Sequence, residues 1–276
     1  MRRMIGIPCE GETLAATIDE GQGTTGLLIV SGGNEIRCGA HRGMAMLARR
    51  LADRGVPVLR YDRRGIGDSS GPNGGFLTAR PDLVAAAAAF RAEAPHVERV
   101  IGFGNCDAAS TLALFGRDAG LDSIILANPW VIEDTDALPP AAAIRARYAD
   151  RLRDPREWRR LLGGGVNIRG VLRGLRKLAD EPREHALAAR VLSAIDQWGP
   201  AATVILATGD ATALAYASAA RNAGLTCSTT EITTASHSFS GPAAAPLEEA
   251  ITSLLRHPGL DPGSRATGAA DRDSGS

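Results

Sequence analysis

The sequence has almost no lysine, few aromatic residues and no excess of charge of either sign. Lys177 is the only lysine in 276 residues, and aromatic residues make up 4% of the chain. The 31 basic residues balance the 31 acidic ones. Because no basic run is sustained, the chain has no long-range attraction for a polyanion. We therefore expect no nucleic-acid partner.

Long apolar segments are missing too. The basic pair Arg2–Arg3 is followed within a few residues by Glu10 and Glu12, where a signal peptide would have its apolar core. No stretch approaches the roughly 18 apolar residues of a transmembrane helix. We therefore expect a cytoplasmic protein that makes no stable insertion into a membrane, whereas its oligomeric state stays open.

Paired cysteines and dinucleotide-binding motifs are also missing. The four cysteines are scattered without the CxxC spacing of a zinc site, and in a reducing compartment they should be free thiols. They are Cys9, Cys38, Cys106 and Cys227. Neither glycine cluster, at 31–34 and 62–69, supplies Gly-x-Gly-x-x-Gly at a strand-to-helix turn. The sequence therefore predicts no metal and no cofactor.

What is present is an alternation of strand and helix patterns. Residues 3–20 alternate apolar and polar around Glu10–Glu12, which predicts an antiparallel hairpin at a sheet edge. Continuous apolar runs then alternate with helices of about a dozen residues, a pattern typical of a mostly parallel sheet covered on both faces. We predict strands at 26–30, 57–61, 98–103, 122–128, 203–209 and 226–232, and helices at 41–53, 81–94, 108–115, 212–223 and 247–255.

One segment interrupts this alternation. From 129 to 197 no strand pattern occurs, and arginine-rich helical stretches take its place. An all-helical insertion here predicts a cap over the strand ends, with the core formed by 1–128 and 198–256. An enlarged helical layer without a lid role is the alternative. The tail at 257–276 has too little apolar surface to offset chain entropy, so we expect it to be disordered.

The strongest motif lies between a predicted strand and a predicted helix. Residues Gly104–Ala108 read Gly-Asn-Cys-Asp-Ala, which matches the nucleophile elbow Gly-x-Ser-x-Gly with Cys106 at the turn. A larger residue at either small position would collide with the adjoining strand or helix. The helix N-terminus would favour a thiolate. The alternative is a buried structural cysteine.

A cysteine nucleophile needs a base, and the base needs an orienting acid. Asp210 and His237 each follow a predicted strand, and the chain order Cys106, Asp210, His237 matches that of a hydrolase triad. Because the carboxyl ends of parallel strands meet at one sheet edge, we predict a Cys–His–Asp triad. Asp210 could instead only cap the next helix. Asp134 is a weaker candidate for the acid.

A glycine-containing loop follows the first long strand and reads Ser31-Gly32-Gly33-Asn34. Backbone amides at this position can stabilise a substrate oxyanion. We predict an oxyanion hole from the amides of Gly33 and Asn34 together with the amide of Asp107, which follows the nucleophile. The loop Asp62–Ser69 after the next strand is interpreted as structural.

With these features in place, residues 3–256 resemble the α/β-hydrolase superfamily. More narrowly, the stretches 104–110 (Gly-Asn-Cys-Asp-Ala-Ala-Ser) and 128–131 (Asn-Pro-Trp-Val) and the arginine-rich insertion resemble the exosortase A system-associated hydrolases of type 1. The resemblance implies an α/β-hydrolase fold with a helical cap, encoded beside exopolysaccharide and protein-sorting genes of Gram-negative bacteria. One departure is Ser236, since an aspartate more often precedes the histidine.

These residues predict an activity. We expect hydrolysis of an ester or thioester of a small-molecule acyl substrate through an acyl-enzyme on Cys106. Two alternatives stay open: acyl transfer to another acceptor by the same triad, and a non-catalytic scaffold that kept the fold.

Overall fold

The computed structural model describes residues 1–132 and 186–256. The strands in these ranges are β1 Arg2–Cys9, β2 Glu12–Asp19, β3 Thr25–Val30, β4 Val58–Tyr61, β5 Arg99–Asn105, β6 Ser123–Ala127, β7 Ala202–Ala207 and β8 Ser228–Ile232. The α-helices are α1 Gly43–Asp53, α2 Arg80–Glu93, α3 Asp107–Phe115, α4 Ala186–Trp198, α5 Ala211–Asn222 and α6 Ala244–Arg256.

All these strands belong to one sheet, in the order β1-β2-β4-β3-β5-β6-β7-β8. β1 and β2 form the predicted antiparallel edge hairpin, and every pairing from β4 to β8 is parallel. The hairpin turn has positive φ at Glu10 (49°) and Gly11 (84°), as a two-residue turn between twisted strands requires. The predicted α/β class and mostly parallel sheet are confirmed.

The central strands of the sheet are buried on both faces because apolar side chains point to both of them. In β3, Leu28 and Val30 face a layer that contains α2, α3, α4 and α5, whereas Leu27 and Ile29 face α1 and α6. This alternation follows from the two-residue period of a strand. Continuous apolar runs are therefore what such strands need.

Two helices begin more than one residue away from the predicted start. Helix α1 begins at Gly43 and not at 41, because His41 and Arg42 have positive φ (51° and 61°) and form a separate short turn. Helix α6 begins at Ala244 and not at 247. Pro246 then lies in its first turn, where the missing N–H of proline costs nothing since no acceptor lies within the helix.

The predicted cap lies mostly outside the described residues, which leave out 133–185. Helix α4 forms the last part of the predicted cap. It packs on α3 and buries Val191, Ile195 and Trp198 in the core. The Trp198 indole N–H donates to the Ala113 carbonyl at 3.0 Å. This helix therefore belongs to the layer that covers the sheet. The division into core and cap stays a prediction, and the predicted tail at 257–276 also lies outside the described residues.

Two further expectations concern cysteines and membranes. Cys9, Cys38, Cys106 and Cys227 are free thiols, as expected. Among the helices of the described ranges, none has both the length and the apolar character needed to cross a bilayer.

Candidate active site

Cys106 stands at a sharp turn between β5 and α3. It is the N-cap of α3, with φ 62° and ψ −128°. A residue other than glycine in this backbone conformation costs about 1–3 kcal/mol and persists only where the surrounding structure enforces it. Here the Cys106 N–H donates to the Ala127 carbonyl at 3.0 Å, and its carbonyl accepts from the Ala109 N–H at 3.1 Å. The side chain is partly exposed at the carboxyl edge of the sheet.

The small residues around the turn are required by close backbone contacts. A Cβ on Gly104 would lie 2.8 Å from the carbonyl carbon of Ala108, which is itself fully buried. A Cβ on Gly32 would lie 2.4 Å from the Asn105 carbonyl oxygen. The steric reason for the elbow pattern is thus confirmed at Gly104.

Asp210 follows β7 and meets His237, which follows β8. One carboxylate oxygen, Oδ1, lies 3.1 Å from His237 Nδ1. The other, Oδ2, accepts the Ala213 backbone N–H at 3.0 Å and so caps α5. Asp210 therefore contacts His237 and caps α5 at once, because each contact uses a different oxygen. The carboxylate is 9% exposed and the imidazole 40% exposed.

The charges of this pair are set by hydrogen bonds. The pKa of His237 is raised to about 10, first by the hydrogen bond to Asp210 and then by its interaction with the Cys106 sulfur, with burial opposing both. Burial alone would raise the pKa of Asp210, but hydrogen bonds from His237 and from the Ala213 amide bring it below its usual value. At neutral pH the site therefore contains an imidazolium and a carboxylate.

The structure brings the three predicted triad residues to one edge of the sheet. Asp210 contacts His237 directly, and His237 interacts with Cys106. The other acid candidate, Asp134, lies outside the described residues. The catalytic roles of Cys106, Asp210 and His237 stay predictions.

The predicted oxyanion hole contains a contact that the sequence does not indicate. The Gly33 N–H donates to Oδ1 of Asp107 at 2.5 Å, and the Gly33 carbonyl accepts from the Arg63 guanidinium. Arg63 Nη2 also lies 3.4 Å from Oδ2 of Asp107. The Asn34 side-chain oxygen accepts from Asn73 at 3.2 Å. The Gly33 amide can reach a substrate oxygen only after the Asp107 carboxylate moves away. The Asp107 amide lies in the first turn of α3, where an N–H has no intrahelical acceptor.

Arg63 is a site residue that sequence reasoning missed. The loop Asp62–Ser69 was interpreted as structural, and Asp62 fits that interpretation, since it is fully buried and accepts from Arg37 and from the Asp68 amide. Arg63, however, is 4% exposed and reaches the Gly33 carbonyl and the Asp107 carboxylate. The only signal in the sequence was its position two residues after β4, which ends at the same edge of the sheet.

No cluster of metal-ligating side chains accompanies these residues in the part of the chain that the structure describes. Within 1–132 and 186–256, His, Cys, Asp and Glu side chains form no group of three or more that could hold a metal ion.

Solved structures share the fold of this chain over nearly its whole length, although no protein-family model and no curated protein matches the sequence. DcsB in complex with its substrate analogue has a TM-score of 0.62 at 15% identity, over 93% of this chain and 98% of that one. An α/β serine hydrolase without a lid from Xanthomonas campestris has a TM-score of 0.57 at 15% identity, covering 92% and 94%. An esterase of Pyrococcus furiosus has a TM-score of 0.60 at 16% identity, covering 92% and 89%.

Identities this low show the fold and leave the activity to the site itself. The strand order, the turn at Cys106 and the similarity to these solved structures all indicate the same fold. The chain has the α/β-hydrolase fold.

Proposed function

We propose that this chain is a hydrolase that cleaves an ester or thioester of a small-molecule acyl substrate through a thioester acyl-enzyme on Cys106. The observation that carries the proposal is the placement of His237. It interacts with the elbow cysteine while its Nδ1 is held 3.1 Å from Asp210. Nucleophile, base and orienting acid in this order are the arrangement that acyl transfer to a side chain needs.

The first half of the reaction forms the acyl-enzyme. The Cys106 thiolate attacks the substrate carbonyl carbon, and the carbonyl π electrons become an oxyanion. The oxyanion collapses, the bond to the leaving alcohol or thiol breaks, and the imidazolium of His237 gives that group its proton. Because Nδ1 is bound to Asp210, the proton comes from Nε2.

The second half regenerates the enzyme. The neutral imidazole takes a proton from water, and the hydroxide equivalent attacks the thioester carbonyl. The resulting oxyanion collapses with loss of the Cys106 thiolate, and the acid is released. Asp210 keeps its charge throughout and stabilises the imidazolium.

Stabilisation of the oxyanion is assigned to the backbone amides of Gly33, Asn34 and Asp107. The Asp107 N–H is available at the start of α3, and the Gly33 N–H becomes available when the Asp107 carboxylate leaves it. Arg63, already 3.4 Å from that carboxylate, is placed to retain it after the move.

The reaction class and the cellular setting are also part of the proposal. Two structural neighbours are named as esterases, from Pyrococcus furiosus and from Thermogutta terrifontis, which supports ester cleavage as the reaction class. The link to exosortase and exopolysaccharide systems rests on the motifs at 104–110 and 128–131 and is part of the proposal. A cytoplasmic location belongs to the proposal as well.

The proposal is tested with purified protein and a panel of p-nitrophenyl esters and acyl thioesters of increasing chain length. We expect saturable turnover of at least one member and a burst of leaving group equal to the enzyme concentration. An added alcohol or thiol acceptor that diverts the acyl group from water would identify an acyltransferase instead. No turnover and no burst on any member would contradict the proposal.

Asp210→Asn is expected to slow turnover less than loss of the base does. The loss should stay well short of the ~10⁴-fold that the matching change costs a serine enzyme with this triad, because a cysteine is intrinsically a stronger nucleophile and the acid mainly fixes the imidazole tautomer. Asparagine is as good an N-cap as aspartate, so α5 should keep its cap. The measurement is kcat/KM, with Asp118→Asn as control, since Asp118 pairs with Arg80 on the surface. An unchanged rate would show that another acid serves His237.

The two halves of the reaction should depend differently on pH. In the free enzyme both Asp210 and the Cys106 sulfur raise the pKa of His237 to about 10, so kcat/KM should fall on the alkaline side only near that pH. In the acyl-enzyme the sulfur is an uncharged thioester, and only Asp210 still raises the pKa. Deacylation needs the neutral imidazole, so its single-turnover rate should rise with pH around a midpoint below 10. Coincident midpoints would contradict this account.

A further inference from the structure

Two asparagine side chains meet at the backbone of His237. Asn105, the last residue of β5, donates from Nδ2 to the His237 carbonyl at 3.0 Å. Asn128, directly after β6, donates from Nδ2 to the same oxygen at 3.2 Å. A carbonyl oxygen has two lone pairs, so both donors can be accommodated.

The nitrogen and the oxygen of the Asn128 side-chain amide both make hydrogen bonds. Its Nδ2 also donates to the Asn105 side-chain oxygen at 3.1 Å, and its own oxygen accepts the Ala207 N–H at 2.9 Å. The side chain therefore links the ends of β5 and β7 to the loop that carries His237. The residue is fully buried. Removing a buried, fully bonded amide leaves its partners unsatisfied, which is costly.

Asn128 also has a backbone conformation that needs an explanation. Its φ is 42°, in the left-handed region that side chains other than glycine rarely adopt. Asparagine tolerates this region better than most residues. Strained residues of this kind collect at functional sites, where the surrounding structure enforces them. Asn128 and Cys106 are both strained, and they follow neighbouring strands of the sheet.

The chemistry of the cluster calls for amides and not for carboxylates. The group at 128 must donate to the His237 carbonyl and accept from the Ala207 amide, and only a carboxamide of this size does both. An aspartate there would direct a carboxylate oxygen at the His237 carbonyl and at the Asn105 oxygen. Aspartate has the same shape as asparagine, so Asn128→Asp changes the hydrogen bonding with little change in packing.

We propose that Asn105 and Asn128 are positioning residues that hold the His237 backbone so that the imidazole meets Cys106 and Asp210 together. The proposal rests on the proposed function of the triad. The rest of the loop is also held in place. The Ser236 hydroxyl accepts from the Ser240 backbone N–H at 2.9 Å, and Phe239 is buried in the core. The ends of β5 and β6 thus hold this loop through hydrogen bonds to the His237 carbonyl.

The test compares Asn128→Asp and Asn105→Ala with Asn222→Asp, a control at the exposed end of α5. We expect Asn128→Asp to lower kcat/KM by about tenfold to a hundredfold with little change in KM, because a small misplacement of a catalytic group has effects of this size. Asn105→Ala, which removes one of the two donors, should lower it less. Asn222→Asp should match the wild type.

A second readout separates positioning from mere structural support. The protonation of His237 is followed against pH by NMR on protein with isotope-labelled histidine. In both site variants the titration midpoint should move down from about 10, because a displaced imidazole loses part of its contacts with Asp210 and Cys106. A lower Tm with an unchanged midpoint and an unchanged kcat/KM would overturn the inference. If Asn128→Asp does not fold, Asn105→Ala carries the same test.

Failure of the proposed function would look different. A wild-type protein without turnover on any ester or thioester would contradict the hydrolase proposal, yet the His237 midpoints of the variants would still decide the positioning role. Turnover by the wild type, combined with variants that match it in both readouts, would overturn the positioning role alone.

Discussion

Replacing Cys106 with alanine is expected to remove turnover of every ester and thioester that the wild-type chain cleaves. Without the sulfur no covalent intermediate can form, and the members of a triad act as a unit, so the loss in kcat should be at least ~10⁴-fold. The fold should survive, because alanine keeps the small, partly exposed position at the turn. The measurement is kcat with a burst analysis, together with Tm from thermal unfolding.

Cys38→Ala is the matched control for this change. Cys38 is also a half-exposed free thiol, but it lies in the loop before α1 and its sulfur donates to the Gly39 carbonyl at 3.7 Å. It should keep the wild-type rate and burst. A Cys106→Ala protein that turns over substrate at the wild-type rate would show that the elbow assignment is wrong.

His237→Ala is expected to cause the second largest loss, about 10²–10⁴-fold, the usual contribution of a positioned acid or base. Deacylation should suffer more than acylation, since water needs the base whereas a thiolate can still attack an activated ester. The acyl-enzyme should therefore accumulate, and added imidazole should speed its breakdown. The loss should exceed that of Asp210→Asn. Rapid-quench measurement of both half-reactions checks this expectation.

His96→Ala provides the control for the histidine change. The His96 ring nitrogen Nε2 is bound to the Gly21 carbonyl at 2.9 Å. His96 precedes β5, whereas Cys106 follows it, so His96 lies at the opposite edge of the sheet from the site and both half-reactions should stay at wild-type rates. Wild-type deacylation in His237→Ala would show that another group activates water.

The fold could be predicted from the sequence because its signals are local. The alternation in residues 3–20 and the apolar runs such as Leu27–Val30 depend on neighbouring residues only, and the order of strands and helices follows from them. The meeting of Cys106, Asp210 and His237 at one edge of the sheet was predictable for a related reason, since each of them follows a strand. Helix starts were harder, because the positive φ of His41 and the placement of Pro246 at the beginning of α6 depend on tertiary contacts.

The finer parts of the site could not be predicted in this way. The contact between Gly33 and Asp107 joins residues 74 positions apart, and the bond from Asn128 to His237 spans 109 positions. Such contacts depend on side-chain rotamers and on the exact approach of three strand ends. No pattern within a strand or helix specifies either. Asn105 and Asn128 were visible only as members of motifs, without a role.

The proposed reaction requires a thioester on one particular sulfur, and the most direct measurement is to trap it. Wild-type protein is mixed with a substrate it cleaves, quenched in acid during the burst, and analysed by intact mass and by peptide mapping. We predict one acyl group per chain, located on Cys106 and released by hydroxylamine. An acyl group on another residue, or a burst with no covalent adduct at all, would contradict the account.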